Sequence, residues 1–302
     1  MKIKLTLPNN IIREYPAGTT LLEVSRDFAA NYQSPIVEGI FNGIGTDLQK
    51  PVFENGTVDF ITLDTEEGMR VYVRSLLFLF LVAIKELRPE VKIEARNSLG
   101  SALFCEITND IVLSNYDLKA LEDYMKELAA KSEPIIYKHI NKKEAEKILC
   151  ERNEADRLEL LHAIDDDLLL TCYTLKGHME YFFGPMLPDC GYLKLFDYPE
   201  TGQNELDVFV DSPKLNKMFH EMEEWSTMLQ CNTVAKLNRI IKEDHAGVII
   251  QVAEALHEKK IAAIADEITD KGKDVHLVLI AGPSSSGKTT FAQRLSIQLV
   301  VN

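Results

Sequence analysis

At 302 residues, 46% of them hydrophobic, the chain can bury two or three cores, and its formal net charge of −14 disfavours a surface that grips nucleic acid nonspecifically. Phosphate neutralisation requires clustered Lys and Arg, so only local basic patches are compatible with that balance. MKIKLTLPNN is no secretory signal, and the longest apolar run, residues 76–84 (LLFLFLVAI), is far short of the roughly 20 residues needed to span a bilayer, so no membrane association is expected.

Along the chain, Ile3, Leu5 and Leu7 alternate with polar residues, Asn9-Asn10 offers a turn, and IIREYP reads as a second strand. Thr20-Leu-Leu-Glu23 is a capping box opening a helix that should run to about Tyr32. IVEGIF ends at Asn42-Gly43 and TVDFITL follows Asn55-Gly56, giving two more strands bounded by turn pairs. Strands, one helix and more strands within some 63 residues form a β-grasp, ubiquitin-like arrangement. IKLTLPNN, YPAGTTLLEVS and FNGIGTDLQKP resemble a TGS domain, the module at the N-terminus of threonyl-tRNA synthetases. The resemblance implies a docking or RNA-proximal role, although residues 1–63 hold five basic and seven acidic side chains and give RNA no electrostatic support.

The segments VYVRSLLFLFLVAIKELRPEVKI, PIIYKHINKKEAEKILCERNEADRLELLHAI and MEYFFGPMLPDCGYLKLF resemble, in order and spacing, the second N-terminal domain of the same synthetases, an α+β editing domain. That family carries H-x-x-x-H on a helix and C-x-G-P-H in a later segment. Here the matching positions are Arg74, Phe78, Phe182 and Met186, with Gly184 and Pro185 kept. Imidazole and thiol groups bind metal, order water or move protons near neutral pH; Phe and Met do none of these, and Arg stays protonated. Editing-type hydrolysis is therefore expected to be absent, and the pocket to be more apolar.

Other candidates read as ordinary structure. The seven histidines are dispersed, and five cysteines without a C-x-x-C pair suit a reducing cytoplasm. Cys190 has no neighbouring base in sequence, and the run Asp165-Asp166-Asp167 reads as a solvated turn before the strand LLLTCYTL. From Ser212 the texture becomes helical: Leu215, Met218, Phe219, Met222 and Trp225 form one apolar stripe, a second helix lies near 233–242 and a third runs from about 248 to Lys271-Gly272.

The last 30 residues carry the most specific motif. VHLVLIA (275–281) has the pattern of a strand buried on both faces, GPSSSGKT (282–289) satisfies G-x-x-x-x-G-K-[ST], and Thr290 onward has the spacing of a helix. Gly282 and Gly287 let the main chain approach a phosphate; Ser284, Ser285, Ser286 and Thr290 would add mainly backbone donors. Lys288 would supply the catalytic point charge to the phosphates, and Thr289 would coordinate Mg²⁺. Thirteen residues follow Thr289, too few to complete a parallel sheet, so the chain is expected to be the N-terminal part of a longer protein. EALHEKKIAAIADEI followed by VLIAGPSSSGKTTFAQRLSIQL resembles the entry to the uridine kinase and phosphoribulokinase group.

The expected organisation is an α+β multidomain protein: a TGS-like β-grasp domain (1–63), an editing-like α+β domain (64–211), a helical connector (212–272) and the start of an α/β P-loop domain (273–302). The kinase resemblance implies ATP and Mg²⁺ as cofactors and transfer of the γ-phosphoryl group to a nucleoside, with a homo-oligomer left open. The competing reading is an RNA- or ribosome-associated ATP-binding protein that docks through its synthetase-like half.

Overall fold

The computed structural model describes residues 2–99, 102–194 and 212–302. It is an α+β protein with mixed sheets, divided into two compact units, Met1–Glu154 with Leu161–Asn216, and Ala155–Leu160 with Lys217–Asn302. The expected domain boundary at residue 211 lies outside the described residues.

The first unit begins with β1 (Lys2–Leu7) and β2 (Ile11–Pro16), joined through Asn9 and Asn10, both left-handed at φ 62° and 58°, a conformation asparagine tolerates. Strand β3 (Thr19–Thr20) leads into α1 (Leu21–Arg26), whose capping box is present: Thr20 Oγ1 accepts from the Glu23 amide, and the Glu23 carboxylate accepts from the Thr20 amide at 2.8 Å. Helix α1 stops at Arg26, short of the expected Tyr32. A short 3₁₀ turn over Ala29–Asn31 follows, and Phe28 and Tyr32 both pack on Phe60, at 6.5 and 6.3 Å between ring centres. Tertiary packing of those rings, not helix propensity, sets the helix end.

Next come β4 (Ile36–Phe41), β5 (Ile44–Thr46), β6 (Pro51–Val52) and β7 (Gly56–Thr62). The five-stranded sheet runs β2-β1-β7-β4-β5, with β1 parallel to β7 and every other pairing antiparallel; β3 pairs with β6. Asn42 and Gly43, at φ 50° and 80°, make the β4–β5 turn. Ile3, Leu5, Leu21, Val24, Leu48 and Phe60 form the core under α1. Strand β4 carries a bulge against β7 between Ile36 and Glu38. A bulge puts two consecutive side chains on one side of a sheet. Val37 accordingly joins the neighbouring core, and Glu38 next to it is buried near α2 charges.

That neighbouring core is built on α2 (Glu66–Leu87), which contains the run 76–84 and is N-capped by Thr65. The hairpin of β8 (Ile93–Leu99) and β9 (Ala102–Ile107), helix α3 (Asn115–Ala130), and the antiparallel sheet of β10 (Ile136–Ile140), β11 (Leu170–Leu175) and β12 (His178–Tyr181) complete this part. Between β10 and β11 lie α4 (Lys142–Glu151) and α5 (Ala155–His162); the acidic run 165–167 is a turn in which Asp166 pairs with Lys142 at 2.7 Å.

The second unit is helical: α6 (Pro213–Met228), α7 (Val234–Lys242), α8 (Ala246–Asp270) and α9 (Lys288–Val301). Ile261 and Ala265 of α8 bury against Leu295 of α9, with Ile280 and Phe291 beside them. The apolar stripe of α6 is not covered as its pattern suggests: Met218, Phe219 and Met222 are each about half exposed. The strand expected over 275–281 does not form. An apolar run becomes a strand only by joining a ladder, and among the described residues none flanks it, so Leu277 and Leu279 stand exposed. Among the described residues no helix is long and apolar enough to cross a membrane.

Candidate functional site

Arg74, Phe78, Phe182 and Met186, spread over 112 positions in sequence, converge where α2 meets the segment after β12. Phe78 and Met186 are wholly buried, and Phe182 lies tilted on Phe78 with ring centres 5.3 Å apart. The rings and the thioether fill the space, leaving neither a proton carrier nor a metal ligand. Ser75, one turn before Leu79 on the same helix, is fully buried; its hydroxyl donates to Val71 O at 2.8 Å and accepts from the Leu187 amide at 2.9 Å.

The 182–187 segment is held at several points. Gly184 takes φ +108°, and a Cβ there would lie 2.9 Å from the Arg74 guanidinium, so glycine is required both by conformation and by contact. Arg74 Nη1 donates to Pro185 O at 2.5 Å, and Tyr173 Oη lies 3.2 Å from Gly184 O.

The hub of this arrangement comes from the first sheet. Asp47, buried in the loop after β5, accepts from Tyr173 Oη at 2.8 Å and the Met186 amide at 3.2 Å through Oδ2, and from the Gln49 amide at 2.8 Å through Oδ1. Burial raises the Asp47 carboxyl above its ordinary value, opposed by these three donors, and burial beside Asp47 likewise raises the Tyr173 phenol. Gln49 completes the junction: its Nε2 donates to Ile135 O at 2.7 Å and its Oε1 accepts from the Tyr137 amide at 3.2 Å, so its amide acts as one more peptide unit beside β10. Neither Asp47 nor Gln49 is marked by any motif; only their place at the end of FNGIGTDLQKP singles them out.

Glu38 is a third residue that sequence reasoning missed. It is 4% exposed, and its Oε2 has no hydrogen-bond partner. Burial first, then the neighbouring Glu67 and Asp47 carboxylates, push its carboxyl up to about 7, with Arg74 pulling the other way. Its Oε1 lies so close to Gly45 that a Cβ there would come within 2.3 Å. Cys190 and Cys172 are not nucleophiles in waiting: burial pushes the Cys190 thiol up to about 12 and the Cys172 thiol up to about 11. Among the described residues no group of three or more His, Cys, Asp or Glu is placed to hold a metal ion.

In the second unit the loop residues expected to cradle phosphate are contiguous and solvent-facing. Gly287 (φ 79°) and Ser285 (φ 60°) adopt left-handed conformations, and α9 starts at Lys288, so its first amides lie at the end of the loop. Lys288 Nζ donates to Gly282 O at 2.8 Å and Pro283 O at 2.5 Å, turning the ammonium onto the loop's own carbonyls. Gly282 faces Ser286, where a Cβ would lie 2.8 Å from the hydroxyl oxygen. Ser284, Thr289 and Thr290 are exposed.

No family model matches the chain. Among curated proteins it is similar to the threonine–tRNA ligase of Parabacteroides distasonis, 30% identical over 193 residues that cover 64% of this chain and 30% of the relative. The ligase of Syntrophomonas wolfei is 26% identical over 243 residues, 80% of this chain and 38% of the relative, and that of Bacillus velezensis is 29% identical over 194 residues. The chain spans about a third of the length of the relatives it matches. These relatives correct the expectation of a uridine-type kinase: they are named as ligases of threonine and tRNA, so phosphoryl transfer to a nucleoside does not stand as the function, and a nucleoside substrate has no support. The similarity lies with the synthetase N-terminal region, at about 30% identity.

Proposed function

We propose that this chain docks on tRNA in the manner of the N-terminal region of a threonine–tRNA ligase, without hydrolysing aminoacyl-tRNA. On this reading residues 1–63 are a TGS-type β-grasp module, 64–211 an editing-type domain with its chemistry removed, 212–272 a helical connector and 273–302 the start of a P-loop domain. The observation that carries it is the filling of the converged positions by Phe78, Phe182 and Met186, with Arg74 clamped on Pro185 O. The scaffold that would present an RNA end to a hydrolytic site is kept, while the groups that would activate water are replaced by carbon and sulfur.

The test is direct. The purified chain should bind a labelled tRNA transcript in fluorescence anisotropy and release amino acid from mischarged tRNA no faster than buffer alone. Hydrolysis above the spontaneous rate would overturn the reading, as would absence of tRNA binding.

A second element of the reading concerns residues 282–289. Their left-handed turn and the helix start at Lys288 favour binding of the phosphates of a nucleotide, with ATP and Mg²⁺ as the group that fits a Lys288–Thr289 pair. When bound, such a group supplies a triphosphate whose hydrolysis can power a change of state. The protein's own part is to release the Lys288 ammonium from Gly282 O and Pro283 O and offer it, with the main-chain amides and the Thr289 hydroxyl, to the anion and its metal.

A further inference from the structure

Phe183 is 87% exposed, yet its neighbours are tied to the fold at several points. On its two sides Phe182 packs into the core, Pro185 O receives Arg74, the Met186 amide reaches Asp47 and the Leu187 amide reaches Ser75. A phenyl ring left in water on a rigid mount costs little conformational entropy when something covers it. The Arg74 guanidinium lies against Gly184, the residue next to Phe183. Half-buried Arg74 donates to Pro185 O at 2.5 Å and lies near enough to the Glu38 carboxylate to act on it, and among the described residues it makes no direct ion pair.

We propose that Phe183 and Arg74 form a seat for one unpaired nucleotide of an RNA strand, the base stacking on the Phe183 ring and the phosphate taken by the Arg74 guanidinium. The inference rests on the tRNA-docking reading and gives it a location beside the buried rings that fill the converged positions. An aromatic face near a guanidinium that makes no direct ion pair among the described residues matches the two recognisable parts of a nucleotide, a flat π-system and an anion. A protein partner would instead favour a contiguous apolar patch, whereas the residues flanking Phe183, namely Phe182 and Gly184, are turned into the fold or bare of side chain.

The experiment uses the whole chain and two probes, a labelled single-stranded RNA hexamer and a tRNA transcript, read by anisotropy across a salt series. Since Phe183 is exposed, Phe183→Ala, Phe183→Leu and Phe183→Trp leave the fold intact, which circular dichroism checks. Phe183→Ala should weaken both probes by about 5- to 100-fold, the range expected for one lost base stack. Phe183→Leu should not restore binding, and Phe183→Trp should restore or tighten it. Arg74→Gln should lower the slope of log affinity against log salt for the hexamer by about 0.7, the mark of one lost phosphate contact on a single strand, and an unchanged slope would refute the phosphate half of the seat. If wild-type protein binds neither probe, the docking reading falls and this seat with it. If wild-type protein binds and Phe183→Ala binds equally well, or Phe183→Leu binds like wild type, the seat alone is refuted.

Discussion

Replacing Phe78 by alanine tests whether packing has displaced chemistry from the converged site. Phe78 is completely buried, with Phe182 stacked 5.3 Å away and the Met186 thioether in the same core. Truncating a fully buried phenylalanine costs about 3–5 kcal/mol, of which the ring–ring contact accounts for about 0.5–1.5 kcal/mol. Against a total domain stability of about 5–15 kcal/mol this is a large fraction. In urea, with a slope of about 2 kcal/mol per molar, the midpoint should move down by roughly 1.5–2.5 M, read by far-ultraviolet circular dichroism. Phe182→Ala should cost less, because Phe182 is only partly buried, and the double variant should reveal the ring–ring coupling as a shortfall from additivity. A loss below about 1 kcal/mol for Phe78→Ala would mean that the ring is not filling the site and that space for a reacting group remains.

The other consequences concern the groups around that core and the terminal loop. Asp47→Ala strips the acceptor from Tyr173 Oη and from the Met186 and Gln49 amides, and should cost about 2–4 kcal/mol in the same unfolding assay, with Asp47→Asn costing less. Glu38, raised from 4.5 to about 7, binds its proton more tightly folded than unfolded. Its contribution is therefore full below about 4.5 and is lost as pH climbs through 7, by at most about 3 kcal/mol; Glu38→Gln should flatten that part of a stability–pH profile, and an unchanged profile would contradict the placement. Calorimetry with Mg-ATP should show binding that Lys288→Ala abolishes, whereas no binding, or binding indifferent to Lys288, would refute the assignment of the loop.

Local signals were readable from sequence where they act locally. The Asn42-Gly43 turn, the Thr20–Glu23 box and the apolar spacing of α7 and α8 each encode their own geometry within a few residues, and each turn or helix starts close to where its pattern puts it, although α1 ends at Arg26 and not near Tyr32. What escaped was long-range. Asp47 meets Met186 across 139 positions and Tyr173 across 126, and no periodicity reports such a meeting. The bulge that turns Glu38 inward leaves IVEGIF looking like any short strand. Residues 275–281 have every property of a buried strand except a partner, and pairing is not a property of the run itself. The same distinction separates loop from function: eight residues specify how a main chain can bend around an anion, while the reaction depends on groups far away in sequence. Similarity over 193 residues therefore outweighs the motif, and it leads to tRNA ligases.

The charge of the chain then limits how RNA can be held. A protein with net charge −14 repels a polyanion at distances beyond the screening length, so docking cannot be driven by broad counterion release. It has to come from short-range contacts that are insensitive to net charge: base stacking, shape, and an isolated guanidinium. Many lysines and arginines elsewhere in the first unit pair directly with neighbouring acids, as with Arg70 and Glu66, Arg88 and Asp117, or Lys142 and Asp166, whereas Arg74, though close enough to act on Glu38, makes no direct ion pair among the described residues. One phosphate contact on a single strand gives a salt slope of about −0.7, so raising salt from 50 to 200 mM should weaken binding only about threefold. That shallow dependence follows from placing a single guanidinium next to a solvent-facing ring, and it is the opposite of what a basic RNA-binding surface would show.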